Sequence, residues 1–385
     1  MTPLSRRRFL ELSAAVCGSA CVRVNSTPGD SLFADSARHD ELAGRPPAFS
    51  VIPVVGDGKW IWTEPPKDQT GYLEPRKFRL RVGIDLQANG DAGDILASTP
   101  VPVAVPEQQI TAERATADVG RASLDALTPT ARQLTLLIPQ LPRGARASAV
   151  AEFALTASKQ YFGYSAEQFP TEQKVPADVR AAALGDSPGI QTQSPLLLKL
   201  LSQLKGDRGH PWHWARAFAD WVPENIRPQL GSYTSVTTAL EKRLGDCEEM
   251  AGVFVALCRA AGIPARLVWI PNHVWSEFYL TDHQGVGHWI PAHTACYPWF
   301  GWTGVHELVL QKGDRLRLPG KPGLVRLQTD RLRWAGSRPE VRYWAELEPL
   351  ADEPGGDAGP GARSKSATGE WVVVGKHELD RVARR

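Results

Sequence analysis

The sequence predicts an α+β protein in which helices pack on an antiparallel sheet, preceded by a small antiparallel β-sandwich. Three observations carry that expectation. Phe78, Leu80, Val82, Ile84 and Leu86 alternate with Lys77, Arg79, Arg81, Asp85 and Gln87, the period of a half-buried strand. Met250, Ala251, Phe254, Val255, Leu257, Cys258 and Ala261 recur at helical spacing, the stripe of an amphipathic helix. Beyond Gly262 and Pro264, which end that helix, residues 266–270 and 272–280 are rich in β-branched and aromatic residues, as strands are.

The remaining elements follow in chain order. Ser5-Arg6-Arg7-Arg8-Phe9-Leu10 resembles a twin-arginine export signal, and residues 1–37 are expected to be a leader. Gly18-Ser19-Ala20-Cys21 loosely resembles a lipoprotein box. Either Cys21 carries a lipid anchor or cleavage falls between residues 34 and 37. Export places the chain in the periplasm or cell envelope of a bacterium. After a polar tether, the sandwich is expected over 49–165. Val101, Val103 and Val105, interleaved with Pro102, read as an edge strand. Residues 133–138 and 147–156 read as further strands. A linker rich in Pro, Gln and Ala spans 166–194. The core is expected over 195–312, with helices at 195–201, 211–222 and 235–244 leading into Cys247. Residues 313–350 read as a C-terminal extension of the core, strand-like over 315–334, and 351–385 as a flexible tail.

Composition narrows the function classes. Of 385 residues, 42% are hydrophobic and the net charge is +2. Such a chain can build real cores, and gives no electrostatic case for nucleic acid. No apolar run reaches the length of a spanning helix. The five cysteines are 17, 21, 247, 258 and 296. Two lie in the leader and the other three leave at least one free thiol. Cys258, on the buried face of the helix, reads as a core residue. Cys296 reads either the same way or as its disulfide partner.

The chemistry centres on Gly245-Asp246-Cys247-Glu248-Glu249. Asp246 is a good N-cap, and Glu249 completes a capping box. Cys247 then takes the first helical position, where free N–H groups and the helix dipole favour the nucleophilic thiolate. Glu248 and Glu249 oppose this, because negative charge raises a thiol pKa. In an extended segment His273, Trp275, Glu277 and Tyr279 share one face. A helix-tip cysteine followed by a strand histidine is the order of a Cys–His pair.

These blocks resemble the transglutaminase-like superfamily, which has a papain-like Cys–His fold. The resemblance rests on Gly245-Asp246-Cys247, on Leu257-Cys258-Arg259-Ala260-Ala261-Gly262-Ile263-Pro264-Ala265-Arg266, on His273-Val274-Trp275-Ser276-Glu277-Phe278-Tyr279 and on Trp289-Ile290-Pro291-Ala292-His293. It covers about residues 195–310. It implies a thiol nucleophile at Cys247 and a general acid/base at His273. It also implies a β-domain ahead of the core. The family's third catalytic residue is an Asp, and His293 stands in its place. His293 is therefore the candidate orienter of His273, without negative charge. Glu277 does not replace the Asp, because four strand residues put it about 13 Å from His273. Trp275 and Trp289, inside the family blocks, are candidate substrate-binding residues. Trp299 and Trp302 are candidates for a substrate wall.

The implied activity is acyl transfer on amide bonds of a peptide or protein through a thioester. Water completes it in a peptidase or deamidase, and an amine in a cross-linking enzyme. The alternative is a non-catalytic relative that binds peptide or cell-wall material. No cofactor is expected, and no metal site. His288, His293 and Cys296 lack zinc-site spacing. His210 and His213, flanking Trp212 beside Trp214, read as a packed helix start.

Overall fold

The computed structural model of the chain describes residues 65–229, 233–271, 273–295, 299–318 and 322–350. The leader with Cys17 and Cys21, the position of Cys296 and the 351–385 tail lie outside the described residues.

Six strands come first: β1 Gly71–Gln87, β2 Ala92–Val101, β3 Gln108–Ala117, β4 Arg121–Thr128, β5 Ala131–Leu141 and β6 Arg146–Tyr161. The alternation in β1 has the expected result. Phe78, Leu80, Val82, Ile84 and Leu86 are buried. Arg79 and Arg81 point outward to Glu348 and Glu346. Facing residues of β2, β5 and β6, among them Ile95, Leu136 and Phe153, complete one apolar core between two sheets.

The expected edge strand at Val101–Val105 takes a different form. β2 ends at Val101, and it runs between β5 and β14 rather than at an edge. Pro100 is tolerated within it because the pairing with β14 starts only at Ser98, so the missing Pro N–H interrupts no ladder on that side. Val103 instead packs against Trp275.

The 166–194 segment contains the short helix α1 Ala177–Ala183. The core then runs α2 Pro195–Lys205, α3 Pro211–Asn225, β7 Arg227–Pro228, α4 Val236–Lys242, β8 Leu244–Gly245 and α5 Cys247–Ala260. Strands β9 Ala265–Ile270, β10 His273–Thr281 and β11 Gly287–Ala292 form an antiparallel meander. Short strands β12 Trp302–Thr303 and β13 Gln311–Lys312 follow, then β14 Arg331–Gly336 and β15 Glu340–Pro349.

The strand order is β12-β6-β1-β15 in one sheet, with β3 also on β6. In the other it is β11-β10-β9-β13-β5-β2-β14, with β4 on β5. The core meander and one leaf of the sandwich are therefore a single continuous sheet, joined through β13. Of the 313–350 segment, read from sequence as an extension of the core, β14 and β15 lie on the sandwich strands β2 and β1. Only part of 315–334 is a strand, starting at Arg331.

The joint is ionic. Lys312 Nζ lies 2.5 Å from both Glu277 on β10 and Glu107 beside β3. Arg266 on β9 holds the other Glu277 oxygen at 2.6 Å. Burial opposes ionisation of Glu277, but Lys312 and Arg266 outweigh it and keep the carboxyl below its usual range. Removing one partner of a buried pair strands the other charge. Lys312→Met is expected to cost about 3 kcal/mol, measured as the shift in urea denaturation midpoint at constant slope.

Candidate active site

α5 begins as its sequence dictates. The Asp246 carboxylate accepts the Glu248 N–H at 2.8 Å, and Glu249 reaches back to accept the Asp246 N–H at 3.0 Å. Gly245 makes that return possible, since a Cβ there would lie 2.5 Å from Glu249 Cβ. Glu249 also accepts the Thr234 N–H at 2.7 Å. Cys247 is the first helical residue and is half-buried. The helix closes at Gly262, whose φ of 82° suits glycine.

The sequence predicts one apolar stripe on this helix. Instead every residue from Glu248 to Arg259 is buried. The reason is tertiary: α5 lies between the β9–β10 layer and helices α2, α3 and α4. Cys258 is a free, fully buried core thiol, as expected, and burial pushes its pKa up.

β10 presents two faces. Val274, Phe278 and Leu280 join the core under α5, with the Phe254 and Phe278 rings 6.1 Å apart. His273, Trp275, Glu277 and Tyr279 occupy the opposite face. α5 runs antiparallel to β9, which follows it after a short turn. The 14 residues of the helix and the 6 of β9 each span about 20 Å. The helix start and the β9–β10 hairpin therefore lie at the same end of the layer. Cys247 begins the helix there, and His273 is the first residue of β10.

His293 follows β11 and completes an aromatic stack. It lies 4.7 Å from Trp275, stacked at 15°, and 6.2 Å from His273 between ring centroids. Trp299 meets its edge at 5.2 Å, and Trp302 packs on Trp299 at 5.3 Å. Burial, with the neighbouring His273, holds the His293 pKa well below the usual imidazole value. His293 is thus neutral at neutral pH, unlike the carboxylate that the family pattern places there.

The candidate substrate-binding tryptophans part ways. Trp275 is 1% exposed and supports His293 from below. Trp289 pairs with Tyr279 and stacks on Arg266 at 3.8 Å. Tyr279 lies six residues along β10 from His273, about 20 Å, so Trp289 belongs to the ionic joint and not to the His273 end. His210 caps α3, its Nδ1 accepting the Trp212 N–H at 3.1 Å. His288 bonds Asp282 at 2.7 Å within the β10–β11 hairpin. Among the described residues no group of three His, Cys, Asp or Glu side chains is arranged to hold a metal. No described helix is long and apolar enough to cross a membrane.

One neighbour of the site was invisible in the sequence. Arg326 comes from the loop before β14 and is 3% exposed. Its guanidinium donates to Glu248 at 2.7 Å and lies 3.1 Å above the Tyr233 ring. Burial pushes the Glu248 carboxyl up to about 8, with Arg326 opposing.

The profile of the "Transglutaminase-like superfamily" matches residues 199–294, a span that includes Cys247, His273 and His293. A crystal structure from Cytophaga hutchinsonii, described as a candidate cysteine protease, superposes with a TM-score of 0.50 at 18% identity, covering 73% of this chain and 92% of that one. A candidate protease from Parabacteroides distasonis covers 55% of this chain and 42% of that one, at 14% identity and a TM-score of 0.25. A peptide-N(4)-(N-acetyl-β-glucosaminyl)asparagine amidase of Yarrowia lipolytica is 38% identical over 56 residues, which are 14% of this chain and 16% of the amidase. The match thus spans under a fifth of that relative's length. Residues 199–294 are thus similar to transglutaminase-like domains, and the fold is the expected α+β architecture.

A buried neutral histidine has a definite sign in stability. Its pKa is depressed on folding, so below about 6.5 the unfolded chain binds a proton that the native state refuses. Stability is expected to decline as pH falls below about 6.5, and His293→Asn to flatten that decline. Urea titrations of both proteins between pH 5 and 8 measure it.

Proposed function

We propose that this chain is a Cys–His enzyme acting on amide bonds of peptide or protein substrates. The observation that carries this reading is the placement of Cys247 at the first position of a capped, buried helix, at the end of the layer where His273 opens β10. In this mechanism the Cys247 thiolate attacks the amide carbon and the carbonyl electrons move to oxygen. The backbone N–H of Cys247, at the start of the helix, stabilises that oxyanion. His273 delivers a proton to the departing amine or ammonia as the C–N bond breaks, leaving a thioester. Water then releases the acid in hydrolysis, or an amine takes the acyl group in cross-linking. His293 orients the His273 ring as a neutral group, so the imidazolium formed during turnover receives less electrostatic support than a carboxylate gives. The twin-arginine motif supports action in the periplasm or cell envelope.

A second reading, a peptide- or cell-wall-binding relative without turnover, is favoured by that same uncharged His293. Ammonia release from glutamine peptides and fragment release from unstructured peptides, each with and without a primary amine, separate the two. Turnover abolished by Cys247→Ala, a loss of about a thousandfold or more, is the expected result. Saturable peptide binding with no turnover, unchanged by Cys247→Ala, establishes the binding module instead. Independently, iodoacetamide near pH 7 is expected to alkylate Cys247 at least about tenfold faster than Cys258, because only the former is a reachable thiolate. Mass spectrometry of the labelled peptides reads the ratio.

A further inference from the structure

We propose that Arg326 is a positioning residue of the candidate site, a buried cation that neutralises Glu248 and sets the charge at the start of α5 in favour of the Cys247 thiolate. This rests on Cys247 being the nucleophile, and it assigns a role to a residue outside the family match.

Two glutamates directly follow Cys247, and a carboxylate beside a thiol disfavours its ionisation. The structure disposes of each differently. Glu249 is turned back into the helix cap and onto Thr234. Glu248 is 2% exposed and has no solvent to screen it. Its charge is met by the Arg326 guanidinium at 2.7 Å. That guanidinium is fixed by the Tyr233 ring at 3.1 Å, with the Trp269 ring at 5.5 Å, a pair of cation–π contacts in a dry setting. Arginine suits this place, because its planar guanidinium lies on an aromatic ring while donating to a carboxylate.

Other ionisable groups described around the pair have their own places. Asp246 and Glu249 belong to the cap of the same helix. Tyr233, just before α4, feels the charges of Arg326, Glu248, Glu249 and Asp314. Asp314 is paired with Arg259 at 2.7 Å. His273 lies at the same end of the layer. Within this set Arg326 is the cation that touches the residue next to the nucleophile. Burial pushes the Glu248 carboxyl up to about 8 with Arg326 opposing, so the pair carries no net negative charge beside Cys247 over the neutral range. The field on Cys247 thus favours the thiolate over the neutral range.

The test is the pH dependence of iodoacetamide alkylation of Cys247 in the full chain, from pH 5 to 10. Arg326→Gln is expected to raise the midpoint by about one unit. Arg326→Lys keeps the cation and is expected to recover at least half of that shift. Glu248→Gln removes the anion and is expected to lower the midpoint. A purely structural Arg326 gives another pattern: rates fall at every pH in both Arg326→Gln and Glu248→Gln, and the midpoint stays put. That pattern, or a midpoint raised by Glu248→Gln, overturns the proposal. If Arg326→Gln does not fold, the direction of the Glu248→Gln shift decides. Wild-type Cys247 reacting no faster than Cys258 instead removes the nucleophile assignment itself, an outcome distinct from loss of the Arg326 role.

Discussion

The burial of α5 on all sides is the constraint on which the rest of this structure depends. A surface helix leaves its charged face to water. Here helices α2, α3 and α4 cover what the β9–β10 layer does not, and every residue from Glu248 to Arg259 is enclosed. Enclosure supplies the rigidity that a nucleophile needs. It also forces each polar group on the helix to find a partner inside the protein, because an unmet buried charge costs several kcal/mol. Glu249 meets the cap, Glu248 meets Arg326, and Arg259 meets Asp314 and the Ala265 carbonyl. Two of these three partners come from the segment that follows the core.

That segment explains why the sandwich and the core form one structural unit. β13 carries the core sheet into the sandwich, and β14 and β15 finish the two sandwich sheets. Between β13 and β14 the chain passes the start of α5 and leaves Arg326 there. The transglutaminase-like region is therefore complete electrostatically only with residues lying well beyond its matched span of 199–294. The ionic joint of Glu107, Lys312, Glu277 and Arg266 ties β9, β10 and β13 together midway along β10.

His293 fills a buried aromatic pocket next to His273 without bringing a negative charge. Its ring stacks on Trp275 and is closed off by Trp299. It thereby sits beside His273 as an aromatic body rather than as an anion. Desolvation holds it neutral.

Local rules made much of this legible in the residues. Two-residue alternation set β1 and the faces of β10. The Asp246–Glu249 box and Gly262 set both ends of α5. Motif order set the Cys247, His273 and His293 blocks. Each depends on neighbours a few positions apart, where backbone geometry fixes the outcome. The sequence could not show that α5 is buried all round, that Pro100 sits inside a sheet, or that 313–350 crosses back to the sandwich. Nor could it pair Glu248 with Arg326, 78 residues away. Those outcomes depend on which surfaces meet across the fold, and a buried charge takes whichever counter-charge the packing delivers to it.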